Sequence, residues 1–149
     1  MEKDKNIKEE IVMRKAKESD LINCEKLIHL PEFIFADGEY PDIEYLSFFL
    51  DKNRGLFFVM EKDSQIVAFI LGEKLLGKSS IVWYTSVDER FRGQGLGSQM
   101  LNYFEGECKK QGIEWIVLHS PEKSPKSLDF YRKMNYNEGS SYLEFNKNL

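Results

Sequence analysis

Cysteine is scarce in this 149-residue chain: only Cys24 and Cys108 occur. Two thiols so far apart cannot build a disulfide framework, and neither has metal-ligand company at a useful spacing. A single long-range disulfide is one reading. The better one is a pair of reduced, buried thiols in a cytoplasmic protein, with no metal. Long apolar runs are lacking as well. None approaches the ~20 residues needed to cross a bilayer, so no membrane partner is expected. Nor is there a basic excess: 21 Lys and Arg against 25 Asp and Glu leave a net charge of −4, which argues against a nucleic-acid partner. Met1–Glu10 is charged, has no signal-peptide core, and reads as a flexible arm. Repeats, low-complexity tracts and linkers are missing too. Residues 1–149 therefore read as one domain, long enough to bury a sizeable core.

What is present is a regular succession of elements. Ile11 to Lys15 reads as a strand. Ser19 reads as an N-cap for a helix with Leu21, Ile22, Cys24, Leu27, Ile28 and Leu30 on its stripe, ending before Pro31. Residues 31–40 form a loop, and Pro41 stands at a helix N1-like position before Ile43 to Leu50. Leu56 to Met60 and Ile66 to Leu75 read as a hairpin around Lys62-Asp63-Ser64-Gln65. Ser80 to Val87 is the next strand. A helix runs to about Lys110, with Gly112 as its C′ residue. Trp115 to Leu118 is a strand, Lys126 to Met134 a helix, and Ser141 to Phe145 a last strand. Early hairpins and a late strand–helix–strand crossover predict an α/β fold with a mixed, largely antiparallel sheet and helices on both faces.

The most telling stretch is Arg92-Gly93-Gln94-Gly95-Leu96-Gly97-Ser98, between a β-rich run and a helical pattern. Its glycines let the backbone approach a ligand and take positive φ. The first amides of the new helix have no carbonyl partners behind them, and the helix dipole favours an anion there. Arg92 adds a cation whose fork suits phosphate. No Gly-Lys-Ser/Thr follows, which excludes a Walker loop, and the spacing after Gly97 is not that of the dinucleotide fingerprint.

With Arg92, Gly95 and Gly97 at its three fixed positions, this segment resembles the acyl-CoA signature R/Q-x-x-G-x-G/A of the GNAT N-acetyltransferases. Downstream, Ser127-Leu128-Asp129-Phe130-Tyr131-Arg132-Lys133-Met134-Asn135-Tyr136 is similar to the family's A-x-x-F-Y-x-K-x-G-F segment, with Ser127, Asn135 and Tyr136 as departures. The resemblance spans nearly the whole chain. It implies the GNAT fold with splayed central strands, and acetyl-CoA as co-substrate lying between the strand ending at Val87 and the strand Trp115 to Leu118. The backbone around Ser86 and Val87 would bond the pantetheine arm, and the amides of Arg92, Gly93, Gln94, Gly95, Leu96, Gly97 and Ser98 the pyrophosphate. The resemblance also makes Tyr131 the proton donor to the departing CoA thiolate. A homodimer is a further expectation from relatives.

A base must take a proton from the substrate ammonium. Some relatives use a glutamate in the strand before the glycine loop, but Ile81 to Val87 holds no carboxylate. His119 matches a histidine that some protein N-terminal acetyltransferases use through water, and an imidazole exchanges protons near neutral pH. A histidine facing solvent at a strand end is the alternative. Tyr84 is a relay or a packing residue, and His29 a surface residue.

The acceptor segment crowds Glu32, Asp37, Glu39, Asp42 and Glu44 among Phe33, Phe35, Tyr40 and Tyr45. Acids interleaved with aromatics suit a cation. Glu39, Tyr40, Asp42 and Tyr84 are therefore the candidate acceptor-binding residues, and a solvated acidic loop is the competing reading. The function expected is direct acetyl transfer from acetyl-CoA to a primary amine, on a cationic small molecule. A protein or peptide amino group is the alternative acceptor, and a non-catalytic acyl-CoA-binding module the alternative class.

Overall fold

The fold is described from a computed structural model, for residues 10–35 and 38–149. Of the expected arm Met1–Glu10 only Glu10 falls within them, and Asp37 of the acidic segment also lies outside the described residues. Five strands form one sheet in the order β1-β2-β3-β4-β5. These are β1 (Ile11–Lys15), β2 (Gly55–Lys62), β3 (Gln65–Lys74), β4 (Ser79–Val87) and β5 (Trp115–Leu118). The first four are antiparallel neighbours, and β4 and β5 are parallel. The helices are α1 (Leu21–Ile28), α2 (Ile43–Ser47), α3 (Leu96–Lys110) and α4 (Pro125–Lys133).

The central strands β2 and β3 read as unbroken apolar runs because both of their faces are covered. On one face Phe58, Met60, Ala68, Ile70 and Val82 pack with Leu96, Met100, Leu101, Phe104 and Cys108, all from α3. On the other, Phe57, Val59, Phe69 and Leu71 pack with Leu21, Cys24, Ile28 and Leu46 from α1 and α2. The β2–β3 turn uses Asp63 and Ser64 at φ 48° and 66°, the double left-handed geometry that matches the twist of a two-residue hairpin. At the end of α3, Ile113 N–H bonds Cys108 O and Gly112 N–H bonds Lys109 O, closing the helix at the expected glycine.

Two helix starts differ from expectation. Ser19 lies inside a short turn, Glu18–Asp20, and α1 begins after Asp20. The Asp20 carboxylate accepts the Lys17 N–H at 2.9 Å and takes both arms of the Arg14 guanidinium, at 2.7 and 3.0 Å. A half-buried ion pair thus anchors the turn that precedes the helix, with no side-chain cap bond to α1 itself. Similarly, Pro41 precedes the cap of α2. Asp42 is the cap itself, accepting the Tyr45 N–H at 2.8 Å.

The last expected strand, Ser141–Phe145, is a correction. It forms no ladder, and Tyr142, Leu143 and Phe145 are largely exposed. Alternation along a segment says which side is apolar. It does not supply a neighbouring edge, and a strand without one leaves its amides to water.

The Arg14–Asp20 pair gives a stability prediction. Burial works to raise the Asp20 carboxyl, but the Arg14 and Lys17 hydrogen bonds outweigh it and hold the pKa below the usual carboxylate value. A depressed folded pKa means that the stabilisation is present above the unfolded value and lost as pH falls through the folded one. Urea unfolding midpoints should therefore drop between about pH 5 and pH 2 in the wild type. Asp20→Asn should be less stable near neutral pH and lose less across that window; equal losses would discount the pair.

Candidate active site

The strands β4 and β5 pair only from Ser79↔Trp115 to Val82↔Leu118. Beyond that point β4 continues to Val87, held by β3 on its other side as far as Ala68↔Val87. Over residues 83–87, then, no strand among the described residues lies beside one edge of β4. A bulge sits at the point of parting. Leu71 faces Tyr84 and Gly72 faces Val82, so Trp83 is an extra residue. Gly72 makes the close approach possible, because a Cβ there would lie 2.0 Å from Ile81 O. The extra residue also changes the phase of the strand. Val82 and Val87 pack on the α3 side, while Tyr84 packs on the α1/α2 side.

At its end β4 runs into the glycine turn. Asp88 N–H bonds Val67 O at 2.8 Å, and the Asp88 carboxylate accepts Arg90 N–H and pairs with its guanidinium at 2.7 Å. Arg92 Nε donates to Val87 O at 3.0 Å, which ties that guanidinium to the strand end. Gly93 and Gly95 take φ of 76° and 78°, and Gly95 caps α3. Gln99 N–H makes the first helical bond, to Gly95 O. The amides of Leu96, Gly97 and Ser98 therefore have no carbonyl behind them. Residues 92–95 are exposed. A cavity of about 920 Å³ opens on the α1 side of this turn, lined by Lys17, Lys26, His29, Asp88, Glu89 and Arg92 among others.

Tyr131 lies on α4. Its ring packs against Phe130 and Tyr136, with centroids 5.1 and 5.9 Å away, and joins the α3-side core. Phe130 also stands over Gly97, 3.7 Å from where a Cβ would be, so α4 is docked on the start of α3. Burial raises the Tyr131 hydroxyl above the ordinary tyrosine pKa, so it keeps its proton at neutral pH.

Tyr84 lies on the opposite face. Its ring meets Phe33 at 5.5 Å and Tyr45 at 6.2 Å. Burial, then the Tyr45 neighbour, push its pKa well up. Phe35 and Phe49 complete this aromatic group around Tyr45. Tyr40 is elsewhere, its ring 4.8 Å from that of His29, which is exposed as expected. Glu39 O accepts the Phe35 N–H, and Asp42 is the α2 cap. His119 is exposed just past β5, its ring 6.5 Å from that of Tyr142. The gap thus has Tyr131 to one side of the sheet and Tyr84 to the other. The buried Ser86 side chain is already used, donating to Leu27 O at 2.8 Å, which leaves its backbone to face a ligand.

Sequence reasoning did not single out Asp88 and Arg90, which brace the turn, or Glu73, which accepts Trp83 Nε1–H at 3.2 Å and pairs with Arg54 at 2.9 Å. The D-E-R-F run carried a signal for the former. The latter depends on the bulge, which no local pattern announces.

An acyl-CoA fits these features by its chemistry. A diphosphate suits three orphan amides beside Arg92, and an amide-bearing arm suits an open strand edge. Among the described residues no group of His, Cys, Asp and Glu could hold a metal ion, and no helix is long and apolar enough to cross a membrane.

The sequence profile of the acetyltransferase (GNAT) family matches residues 24–136. No curated protein matches the chain. Similar solved structures include the ribosomal-protein-S18-alanine N-acetyltransferase of Escherichia coli, 17% identical, with a TM-score of 0.74 over 88% of this chain and 80% of that one. An aminoglycoside acetyltransferase from an uncultured soil metagenomic sample is 22% identical, with a TM-score of 0.73 over 93% and 96%. A protein of Bacillus halodurans described as a transcriptional regulator is 21% identical, with a TM-score of 0.77 over 93% and 100%. At such identities the likeness concerns the fold, a mixed sheet flanked by helices. The family match covers most of the chain and coincides with the gap, the glycine turn and α4: the chain belongs to the GNAT acetyltransferase family and is an acyl-CoA-dependent N-acetyltransferase.

Proposed function

We propose that this chain moves an acetyl group from acetyl-CoA directly to the primary amine of a small cationic acceptor. The observation that carries the reading is the open edge of β4 over residues 83–87, leading straight onto the orphan amides of α3. Bound acetyl-CoA supplies an activated thioester. The amides of residues 92–98 and Arg92 hold the diphosphate, and the backbone at Ser86 and Val87 bonds the arm. Tyr131, kept neutral by burial, donates its proton to the departing sulfur. His119 takes the proton of the acceptor ammonium, directly or through water. Burial pushes Cys24 up to about 12 and Cys108 up to about 11, so neither is a thiolate near neutral pH and no acyl-enzyme is needed.

On the acceptor side, Tyr84 and Tyr45 present an aromatic wall, and Glu39, Tyr40 and Asp42 lie on the segment that leads into α2. A cationic amine is attracted by both the acids and the ring faces. The double variant Glu39→Gln, Asp42→Asn tests this without losing the helix cap, because asparagine caps as well as aspartate. Acceptor KM should rise several-fold, about 1 kcal/mol, with acetyl-CoA affinity unchanged. An unchanged KM removes these acids from recognition.

A peptide α-amine is the second reading, favoured by the exposed His119 and the absence of a carboxylate in β4. The names of the relatives span both, one acting on a ribosomal-protein alanine and one on aminoglycosides. Release of CoA thiol against polyamines, aminoglycosides, amino acids and peptides decides between them. Turnover with one class names the acceptor. Binding of acetyl-CoA with no turnover on any of them favours a non-catalytic acyl-CoA-binding module.

A further inference from the structure

Glu73, one residue from the end of β3, lies next to the bulge. The strand alternation fixes its face. Leu71 packs on the α1/α2 side, and a Cβ on Gly72 would meet Phe104 of α3 at 3.3 Å. Glu73 therefore returns to the α1/α2 side. Its charge there adds to the burial that raises the Tyr45 hydroxyl. One Glu73 carboxylate oxygen accepts the Trp83 indole N–H at 3.2 Å, and the other pairs with the Arg54 guanidinium at 2.9 Å. The group is open to solutes: the Glu73 side chain is 25% exposed, that of Arg54 68%, and Trp83 42%. A carboxylate offers about four acceptor sites, so capacity for a further donor remains. Trp83 stands immediately past Val82, where the β4–β5 ladder ends. An arm that starts at the glycine turn and follows residues 87 to 83, about 13 Å of strand, brings its acyl end to Trp83.

We propose that Glu73 is the residue that selects acceptors by charge: with the Trp83 indole it takes a second cationic group of the acceptor, and Arg54 is the resident cation that this group displaces. The inference rests on the N-acetyltransferase reading and deepens it. The attacking amine must itself be neutral, so the carboxylate serves a different nitrogen of the same molecule. An indole face and a carboxylate together suit one ammonium. Arg54 marks the place, because its guanidinium already sits where a cation fits. An exposed ion pair of this kind contributes little to stability, and a ligand can replace it. The Arg54 backbone stays anchored meanwhile, its N–H on Asp51 Oδ1 and its carbonyl on the Lys74 N–H, both at 2.8 Å.

The test titrates 1,4-diaminobutane and butylamine, which differ by one ammonium, into the CoA-saturated protein at fixed ionic strength. Trp115→Phe leaves Trp83 as the one tryptophan, so its emission reports binding in this parent protein. Calorimetry with acetyl-CoA and thermal unfolding accompany each variant. The diamine should bind about 5-fold tighter than the monoamine. Glu73→Gln keeps an oxygen for the indole N–H. It should reduce that preference to about twofold or less and leave acetyl-CoA affinity unchanged. Arg54→Ala removes the competitor and should strengthen diamine binding about 2- to 5-fold. A preference that survives Glu73→Gln, equal binding of the two amines by the parent, or no response of Trp83 to either overturns the proposal. So does an Arg54→Ala protein with a lower Tm and unchanged diamine binding, the mark of a purely structural pair. Failure of the wild type to bind acetyl-CoA at all would instead overturn the reading on which it rests.

Discussion

Gly95→Glu is expected to abolish acetyl-CoA binding, by more than ~100-fold or about 3 kcal/mol, while the protein stays folded. Three effects add. The residue sits at φ 78°, where any side chain other than glycine costs about 1 kcal/mol. Relaxing that strain would turn the first amides of α3 away from one another. A glutamate also puts negative charge where the helix end favours an anion. The free protein should tolerate it sterically, because a Cβ at Gly95 meets nothing within 4 Å. Gly95→Ala separates the parts: it carries the strain without the charge and should lose much less affinity. Calorimetric titration with acetyl-CoA, alongside thermal unfolding, reads both variants. Micromolar binding by folded Gly95→Glu would refute the assignment of the turn.

Tyr131→Phe should lower kcat by about 100-fold and leave acetyl-CoA affinity within about twofold. The ring contacts to Phe130 and Tyr136 persist in phenylalanine, so packing against α3 is kept. What disappears is a proton donor. Because burial raises the hydroxyl above the ordinary tyrosine value, the wild type should hold its kcat past the pH at which a free tyrosine ionises. An alkaline limb at lower pH belongs to another group. An unchanged kcat with a good acceptor removes Tyr131 from the mechanism.

Features written in neighbouring residues were readable from sequence. β1 and β5 keep the expected bounds, α3 closes with Gly112 as its C′ residue, and the glycine turn has the positive φ values its composition called for. The glycine turn and the close of α3 depend on contacts within a few residues, while β1 and β5 find partner edges in β2 and β4. The acceptor side was not readable in the same way. Tyr84 meets Phe33 and Tyr45 only because Trp83 is bulged out, and the bulge depends on Gly72, eleven positions earlier on another strand. Tyr40, expected beside that group, pairs instead with His29. Ser19 was expected as a cap and Pro41 at the first helical position, yet α1 starts after Asp20, whose carboxylate bonds back to the Lys17 N–H, and Asp42 caps α2. For Ser141–Phe145 the alternation was real and the partner edge was not.

The unpaired stretch of β4 has a consequence for how the protein persists, apart from what it catalyses. On the proposed reading the donor lies along residues 83–87, and the sheet would then be completed by a molecule that the chain does not encode. Mass action then makes folding depend on that molecule: at a hundred times its dissociation constant, a ligand of the folded state adds about 2.7 kcal/mol, a large share of a typical domain's margin. An exposed edge is also a template for stray pairing. Starved of donor, the enzyme is expected to be the form more easily degraded or aggregated. Its half-life would then follow the size of the acetyl-CoA pool.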